Sequence, residues 1–516
     1  MSIHIPNPKI SVTNFGPLTK AEIELRPLMV FIGPSNTGKS YLSTLIYALH
    51  SYFSSYKSDF FLKHDEKVDT QINSLTSRES SGLQDPLREL FEFFTAMRLD
   101  STGAPSEVVL SDPVAEIIRE MYRESLGLGL DDEIARCFGV EINDLRRRGA
   151  KNDSGIVFQT APQNNDGYIE HQLRLEMGKT SSQNTIPKQM PLRLISQSDG
   201  VTLFKSGLLS RLIIENFAAP DHGDLTHTQI RFLLQNIADY LAVDICEPFS
   251  QSAYYLPSAR TGIMQAHTSM IGSIIRNSPM AGRRQARQMP PLPGILVDFL
   301  ENLNNINGAI PTNNQNMEHH NKIDNILEEI ESVILNGTIT TENSEALQYP
   351  QFRYQPSGWD SALSLTNASS MISELAPILL FLRYQVNPGD VLIIEEPESH
   401  MHPSMQVNFT RQLVAMVNAG IQVLITTHSE WIMEELANLV KLSSLPESDH
   451  TEIDGGDIMI DSELVGAWLF QNNGESGCST VSQIDIDESG LYPTGFDDVA
   501  RALYQNWSII SQAQNQ

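Results

Sequence analysis

Cysteine is scarce in this chain: three among 516 residues, Cys137, Cys246 and Cys478. They lie far apart, so they form neither a disulfide framework nor a zinc-binding pattern. Long apolar runs are missing too. The longest, Ala376 to Leu382, falls far short of a bilayer, so no membrane span is expected. Residues 1–20 hold no apolar signal core, so a cytoplasmic location is expected. Basic residues are outnumbered, 35 Lys and Arg against 63 Asp and Glu, for a net charge of −28. Affinity for a phosphate backbone comes mainly from Lys and Arg. The acidity therefore favours a protein partner with a basic face and ranks nucleic acid behind it. Two local basic clusters, Arg146-Arg147-Arg148 and Arg283-Arg284 with Arg287, are candidate exceptions, each read more readily as a solvated surface turn. Sustained heptads are also lacking: the amphipathic stretch at 322–335 is too short for a long coiled-coil arm.

The composition that remains, 41% hydrophobic and 19% charged, is that of a globular chain. Its length allows two to four units or one core with insertions. Strand-like alternation runs from Ile10 to Ile32, broken by a turn at Asn14-Phe15-Gly16-Pro17-Leu18. The apolar strand Leu28 to Ile32 then meets Gly33-Pro34-Ser35-Asn36-Thr37-Gly38-Lys39-Ser40, and a helix with apolar spacing at Leu42, Leu45, Ile46 and Leu49 follows. This is G-x-x-x-x-G-K-S between strand and helix, the context that gives the pattern meaning. The glycines let successive N–H groups curl around phosphates, and the helix N-terminus adds positive potential. Gly33, Pro34, Ser35, Asn36, Thr37, Gly38, Lys39, Ser40 and Tyr41 are the expected ATP-binding residues. Lys39 should reach the β- and γ-phosphates and Ser40 should hold Mg²⁺.

A second half of the site is expected 350 residues later. Val391-Leu392-Ile393-Ile394 is a buried-type strand that ends in Glu395-Glu396, the Walker B arrangement. Glu395 would orient Mg²⁺, and Glu396 would take the proton of the attacking water. Two adjacent carboxylates repel one another unless a cation intervenes. An acidic strand end is common in any α/β protein, so the phosphate loop carries much of this assignment. The strand Val423 to Thr427 ends in His428, placed to contact a γ-phosphate, with a core histidine as the alternative. His400 and His402 fit loop orientation better than metal binding. Ser369 and Ser370 open an apolar helix and either face a phosphate or simply cap it. Arg260 follows the strand Ala253 to Leu256 and is either a ligand contact at the sheet edge or a surface arginine.

The ordered set G-P-S-N-T-G-K-S, the Ser-rich loop, I-I-E-E-P-E-S-H-M-H-P and L-I-T-T-H-S resembles the ABC-type ATPase heads of the RecF, SMC and OLD kind, within the AAA family. The resemblance is strong over residues 8–50 and 350–445 and weak over 155–275. It implies an α/β fold: a mixed sheet flanked by helices, a small antiparallel β-subdomain, and helical insertions. The implied divisions are an ATPase head in two halves (1–50 and 350–445), a helical insertion (51–150), an antiparallel subdomain with a return strand (155–275), a flexible or helical insertion (276–349) and an acidic α/β segment (446–516). It also implies a homodimer or larger homo-oligomer in which Ser369 and Ser370 of one head complete the other's site. The segment after Glu396 would then be a D-loop and His428 a switch histidine. The signature N-A-S-S-M-I-S-E departs from that of transporter ATPases, and the some 90 residues after His428 are short for the TOPRIM nuclease of OLD proteins. What remains resembles the ATPase subunits of antiphage systems of the PARIS or Septu type. By that likeness the chain is an ATPase controlling a separate effector protein, a nuclease among the candidates, with a foreign protein as trigger. The alternatives are a RecF-like DNA-binding repair ATPase and a nucleotide-binding scaffold with little turnover.

Overall fold

The computed structural model describes residues 7–55, 129–150, 154–160, 169–176, 179–185, 246–265, 292–306, 317–343, 350–446 and most of 453–491, with short pieces elsewhere. Spacing and composition also predict loops at 65–86 and 100–106, an amphipathic stretch at 87–94, a strand at 201–204 and helices at 206–217 and 225–243; these, with Arg283, Arg284 and Arg287, lie outside the described residues.

The strands are β1 (Lys9–Phe15), β2 (Leu18–Glu24), β3 (Leu28–Ile32), β4 (Glu107–Val109), β5 (Ser154–Thr160), β6 (Ile169–Glu176), β7 (Lys179–Thr185), β8 (Arg193–Ile195), β9 (Ala253–Leu256), β10 (Gly337–Asn343), β11 (Pro350–Pro356), β12 (Leu363–Ser364), β13 (Val391–Glu395), β14 (Gln422–Thr427), β15 (Val465–Asn472) and β16 (Ser479–Gln483). Eleven of them form one mixed sheet in the order β7-β6-β5-β1-β2-β16-β15-β3-β14-β13-β9. The helices that matter most here are α1 (Lys39–Ser55), α2 (Leu130–Phe138), α3 (Gly294–Asn305), α4 (Met317–Glu329), α5 (Ser370–Tyr384), α6 (Pro403–Asn418) and α7 (Glu430–Ser443).

The parallel strands are buried on both faces, which is why they read as unbroken apolar runs. Met29 and Phe31 of β3, Val391 and Ile393 of β13, and Trp468 and Phe470 of β15 point to the face covered by α1. Leu28, Val30 and Ile32, with Leu392, Ile394, Val465 and Ala467, point to the opposite face, under α5, α6 and α7. Each fully buried Leu or Ile contributes roughly 1.5–3 kcal/mol. Over Lys9–Thr13 and Lys20–Glu24, β1 and β2 bury alternate residues, Ile10 and Val12 against Ile23 and Ala21, as one-sided antiparallel strands do. No helix among the described residues is long and apolar enough to cross a membrane.

The α/β fold class expected from sequence is the one observed, and the strand pairings show how its pieces join. The antiparallel strands β5, β6 and β7 extend the main sheet, β5 pairing with β1. The hydrophobic face of β5, Ile156 and Phe158, joins the same core as α1. β15 pairs in parallel with β3, Val465 opposite Leu28 and Leu469 opposite Ile32, and β16 returns beside β2. A strand as completely buried as β3 needs hydrogen-bonded neighbours on both edges, and the C-terminal segment supplies one. Finally, part of the span 276–349 is strand: β10 pairs with β11 and β11 with β12 in a small antiparallel sheet. The strand at 193–195 pairs with 107–109, not with β5 to β7.

Candidate active site

The loop between β3 and α1 is shaped by three residues with positive φ: Gly33 (141°), Asn36 (62°) and Gly38 (99°). Thr37 is buried, and its hydroxyl donates to Pro34 O at 2.7 Å, closing the loop on itself. Gly33 is required by space as well as by φ. A Cβ there would lie 2.2 Å from Phe470 O on β15. The C-terminal strand therefore packs directly beneath the phosphate loop. Pro34, Ser35, Asn36 and Ser40 are exposed. Tyr41 is half-exposed and packs at 5.4 Å on Phe138 and at 6.1 Å on Phe15 in the β1–β2 turn.

Lys39 folds back over this loop. Its Nζ donates to Gly33 O at 2.7 Å and Pro34 O at 2.9 Å, and lies 3.2 Å from His428 Nε2. Burial pushes its pKa down to about 8, against the pull of Glu396, Glu398 and Glu395. All three carboxylates thus act on the same ammonium through charge, while its direct contacts are Gly33 O, Pro34 O and His428. His428 Nε2 is 3.6 Å from Glu396 Oε1. Burial, and then Lys39, hold the imidazole below its usual 6.5, with Glu396 opposing.

The two acids at the end of β13 differ in setting. Glu395 is buried, and its Oε2 accepts from the Ser258 amide at 3.0 Å. Its Oε1 is buried without a hydrogen-bond partner. Glu396 is half-exposed and left-handed, with φ of 44°. Its amide donates to Thr426 O at 2.8 Å, which keeps β13 and β14 in register to their ends. A third acid, Glu398, braces the next strand: one oxygen accepts from the His428 amide at 2.6 Å and from Thr427 Oγ1 at 2.9 Å. Burial pushes its carboxyl above the usual 4.5, opposed by those bonds.

The structure thus brings the phosphate loop, Lys39, Glu395, Glu396 and His428 together. Ser369 and Ser370 are exposed, and Ser369 Oγ caps α5 by accepting from the Ile372 amide at 3.4 Å. His402 Nδ1 accepts from the Ser404 amide at 3.3 Å as the cap of α6. His400 is exposed with φ of 64°. Among the described residues no cluster of three or more His, Cys, Asp or Glu is placed to hold a metal ion. The donors present do fit Mg²⁺ bound beside a nucleotide, where phosphates and water complete the octahedron. An unpartnered buried carboxylate oxygen on Glu395 calls for a cation or a cation's water, and the Ser40 hydroxyl is exposed beyond the loop. Residues 8–81 and 271–433 match the family model of the AAA ATPase domain.

Among solved structures the chain is similar to an SMC head bound to the C-winged helix domain of ScpA, with 9% identity over 93% of this chain and 99% of that one, at a TM-score of 0.39. It is also similar to the SMC head domain from Thermotoga maritima, with 10% identity over 93% and 100% at 0.35. A third is the Smc head domain with an extended coiled coil bound to the C-terminal domain of ScpA, derived from Pyrococcus furiosus, with 9% identity over 97% and 99% at 0.36. The fold itself rests on the strand order above. No protein of curated function matches the chain.

Two readings of single residues change. Arg260 is neither a ligand contact nor a surface arginine: it is fully buried and bonded to Glu374, Glu395 and Glu396. In the 146–148 cluster, Arg146 donates to Ser154 Oγ at 3.2 Å, and Arg147 to Asn14 Oδ1 at 3.1 Å and Cys478 Sγ at 3.0 Å. Two of the three arginines are thus used to bind the chain to itself. Glu398, Ser258 and Glu374 were not singled out by sequence. Glu398 and Glu374 had one readable signal, a charged residue inside an otherwise apolar or structural segment.

Proposed function

We propose that this chain hydrolyses ATP through the residues gathered between β3, β13 and β14, and that it acts as a regulatory or sensor subunit for a separate protein. The observation that carries the hydrolytic reading is the grouping of Lys39, His428 and three carboxylates beside a phosphate loop. In this reading the loop amides and Lys39 hold the β- and γ-phosphates. Ser40, and Glu395 through water, would hold Mg²⁺, which would supply positive charge beside the phosphate oxygens. Glu396 takes a proton from the water whose oxygen attacks the γ-phosphorus. The bond from that phosphorus to the bridging oxygen breaks, and ADP leaves. His428 Nε2, within reach of both Lys39 and Glu396, contacts the γ-phosphate and reports its presence. Glu398 holds His428 in place through its backbone.

Ser369 and Ser370, exposed at the start of α5, are read as the contact that one head makes with the nucleotide of a second, so that ATP draws two heads together. The net charge of −28 suits a basic protein partner, and the likeness of the motif set to antiphage ATPase subunits suits a defence effector. The internal use of Arg146 and Arg147 weighs against a DNA groove there.

The experiment is a native pull-down of Glu396→Gln expressed with its genomic neighbours and Mg·ATP, with Lys39→Ala alongside. A stoichiometric protein that Lys39→Ala fails to retain is the expected result. Unchanged hydrolysis in Glu396→Gln refutes the assigned base. Nuclease-sensitive nucleic acid with no protein replaces the regulator reading by the RecF-like one.

A further inference from the structure

Arg260 is a whole charge with no access to water, and every direction its fork points is informative. Nε donates to Glu374 O at 3.0 Å. Nη1 donates to Pro257 O at 3.2 Å and to Glu395 O. Nη2 donates to Glu396 O at 3.3 Å and pairs with Glu374 Oε1 at 2.8 Å. Glu374 Oε2 accepts from the hydroxyl of Thr261, the next residue. Three segments therefore meet on one guanidinium: the turn after β9, the end of β13, and the first turns of α5.

Two features make this more than core packing. First, the carbonyls that Arg260 holds belong to Glu395 and Glu396. Glu396 has the left-handed backbone of a non-glycine residue, which persists only where neighbours over-determine it. Arg260 on its carbonyl and Thr426 on its amide are two such neighbours. Second, Glu374 lies barely one turn beyond Ser369 and Ser370, in a helix whose residues from Ile372 to Leu382 are all buried. A helix packed so completely moves as a rigid piece, so a shift at its N-terminus is a shift of Glu374. A planar five-donor fork transmits that shift to two backbone carbonyls at once. An ammonium has no such geometry.

We infer that Arg260 is a positioning residue that ties α5 to the backbone of Glu396, so that contact made at Ser369 and Ser370 sets the placement of the hydrolytic carboxylate. This rests on the reading of Glu396 given above. Arg260 touches no nucleotide. It makes hydrolysis in one head depend on what the start of its own α5 meets.

The test uses the full chain with Mg·ATP. Arg260→Lys keeps the charge and removes the fork. Glu374→Gln keeps the shape and removes the counter-charge. Thr261→Val removes one hydroxyl and leaves the ion pair, and so keeps the test open should either of the first two fail to fold. Turnover is expected to fall about 30-fold or more in Arg260→Lys and Glu374→Gln, with nucleotide Kd within about threefold of wild type, since a small misplacement of a reacting group costs rate more than binding. The double variant should be no worse than the poorer single one, as residues acting as a unit are non-additive. Thr261→Val should show the same split at about fivefold. Without nucleotide, hydrogen exchange at the Glu396 amide should quicken in Arg260→Lys. Wild-type turnover in Arg260→Lys or in Thr261→Val overturns the inference. So does a loss of turnover and of nucleotide affinity in equal proportion, the mark of a merely structural residue. If wild type and Lys39→Ala hydrolyse ATP equally, the reading of the site fails instead, which is a separate and recognisable result.

Discussion

Nucleotide binding should weaken as pH rises past 8, and Lys39 sets the size of the effect. Burial holds its ammonium near a pKa of about 8 when its partners are two loop carbonyls and His428. Phosphate oxygens beside it would favour the charged form, so the bound complex keeps the proton to higher pH. The sign follows from linkage. Binding takes up a proton wherever free Lys39 has lost one, so apparent affinity falls as pH rises above the free pKa. With a free pKa of about 8, the protonated fraction is roughly nine-tenths at pH ~7 and roughly one-thirtieth at pH ~9.5. Kd should therefore rise about 30-fold over that span, close to 2 kcal/mol. Burial and then Lys39 hold His428 below its usual 6.5, with Glu396 opposing. The assay is equilibrium binding of a fluorescent ATP analogue with Mg²⁺ at half-unit steps, paired with calorimetry in two buffers of different ionisation heat to count the proton. Lys39→Arg, which cannot lose its charge in this range, should bind more weakly but with a flat profile. A flat profile in wild type, or no proton uptake near pH ~9, refutes the account of a desolvated Lys39 as the phosphate ligand.

Gly33→Ala should fail at the level of the loop. Its Cβ would meet Phe470 O at 2.2 Å with φ at 141°, and a cost on the order of 2–3 kcal/mol is expected in chemical denaturation, together with loss of ATP binding. Glu398→Ala leaves the His428 amide and Thr427 hydroxyl without their acceptor. It should lower turnover by roughly tenfold or more and destabilise by about 1–3 kcal/mol, and unchanged turnover would remove Glu398 from the account. DNA affinity measured with ATP present should be weak and show a shallow salt slope. A steep fall between about 50 and 200 mM salt would instead count several phosphate contacts and favour the repair reading.

What the sequence made legible was the chemistry that the backbone itself enforces. The phosphate loop needs glycine where φ is positive, and a two-sided parallel strand needs an unbroken apolar run, so β3, β13 and β14 and the residues at their ends could be read locally. Three things could not. The pairing of β15 with β3 joins residues more than 400 apart, and nothing in Val465–Asn472 marks its partner. The attachment of β5 to β1 is hidden for the same reason: alternation fixes which face is buried, not which strand lies alongside. Arg260 was ambiguous because a strand end is ordinarily at the surface. Its fate was decided by α5, which lies more than 100 residues away in the chain and covers it.

Yet the ambiguity had a physical answer inside the sequence. Glu374 is the one charged residue from Ile372 to Leu382, where its polar company is Ser373 alone. A carboxylate in a helix apolar on every side cannot be buried alone, because desolvating an unpaired charge costs several kcal/mol. It therefore demands a cation, and the cation must also be buried. Few residues qualify. Lys39 is committed to the phosphate loop, and Arg383 near the end of α5 pairs with Glu331. An arginine at the end of an adjacent strand, with small neighbours Ser258, Ala259 and Gly262 that leave room for helix packing, is the kind of partner required. The lone acid in α5 and the lone arginine after β9 are thus one feature read from two places, and the feature joins the helix that opens with Ser369 to the carboxylate at the end of β13.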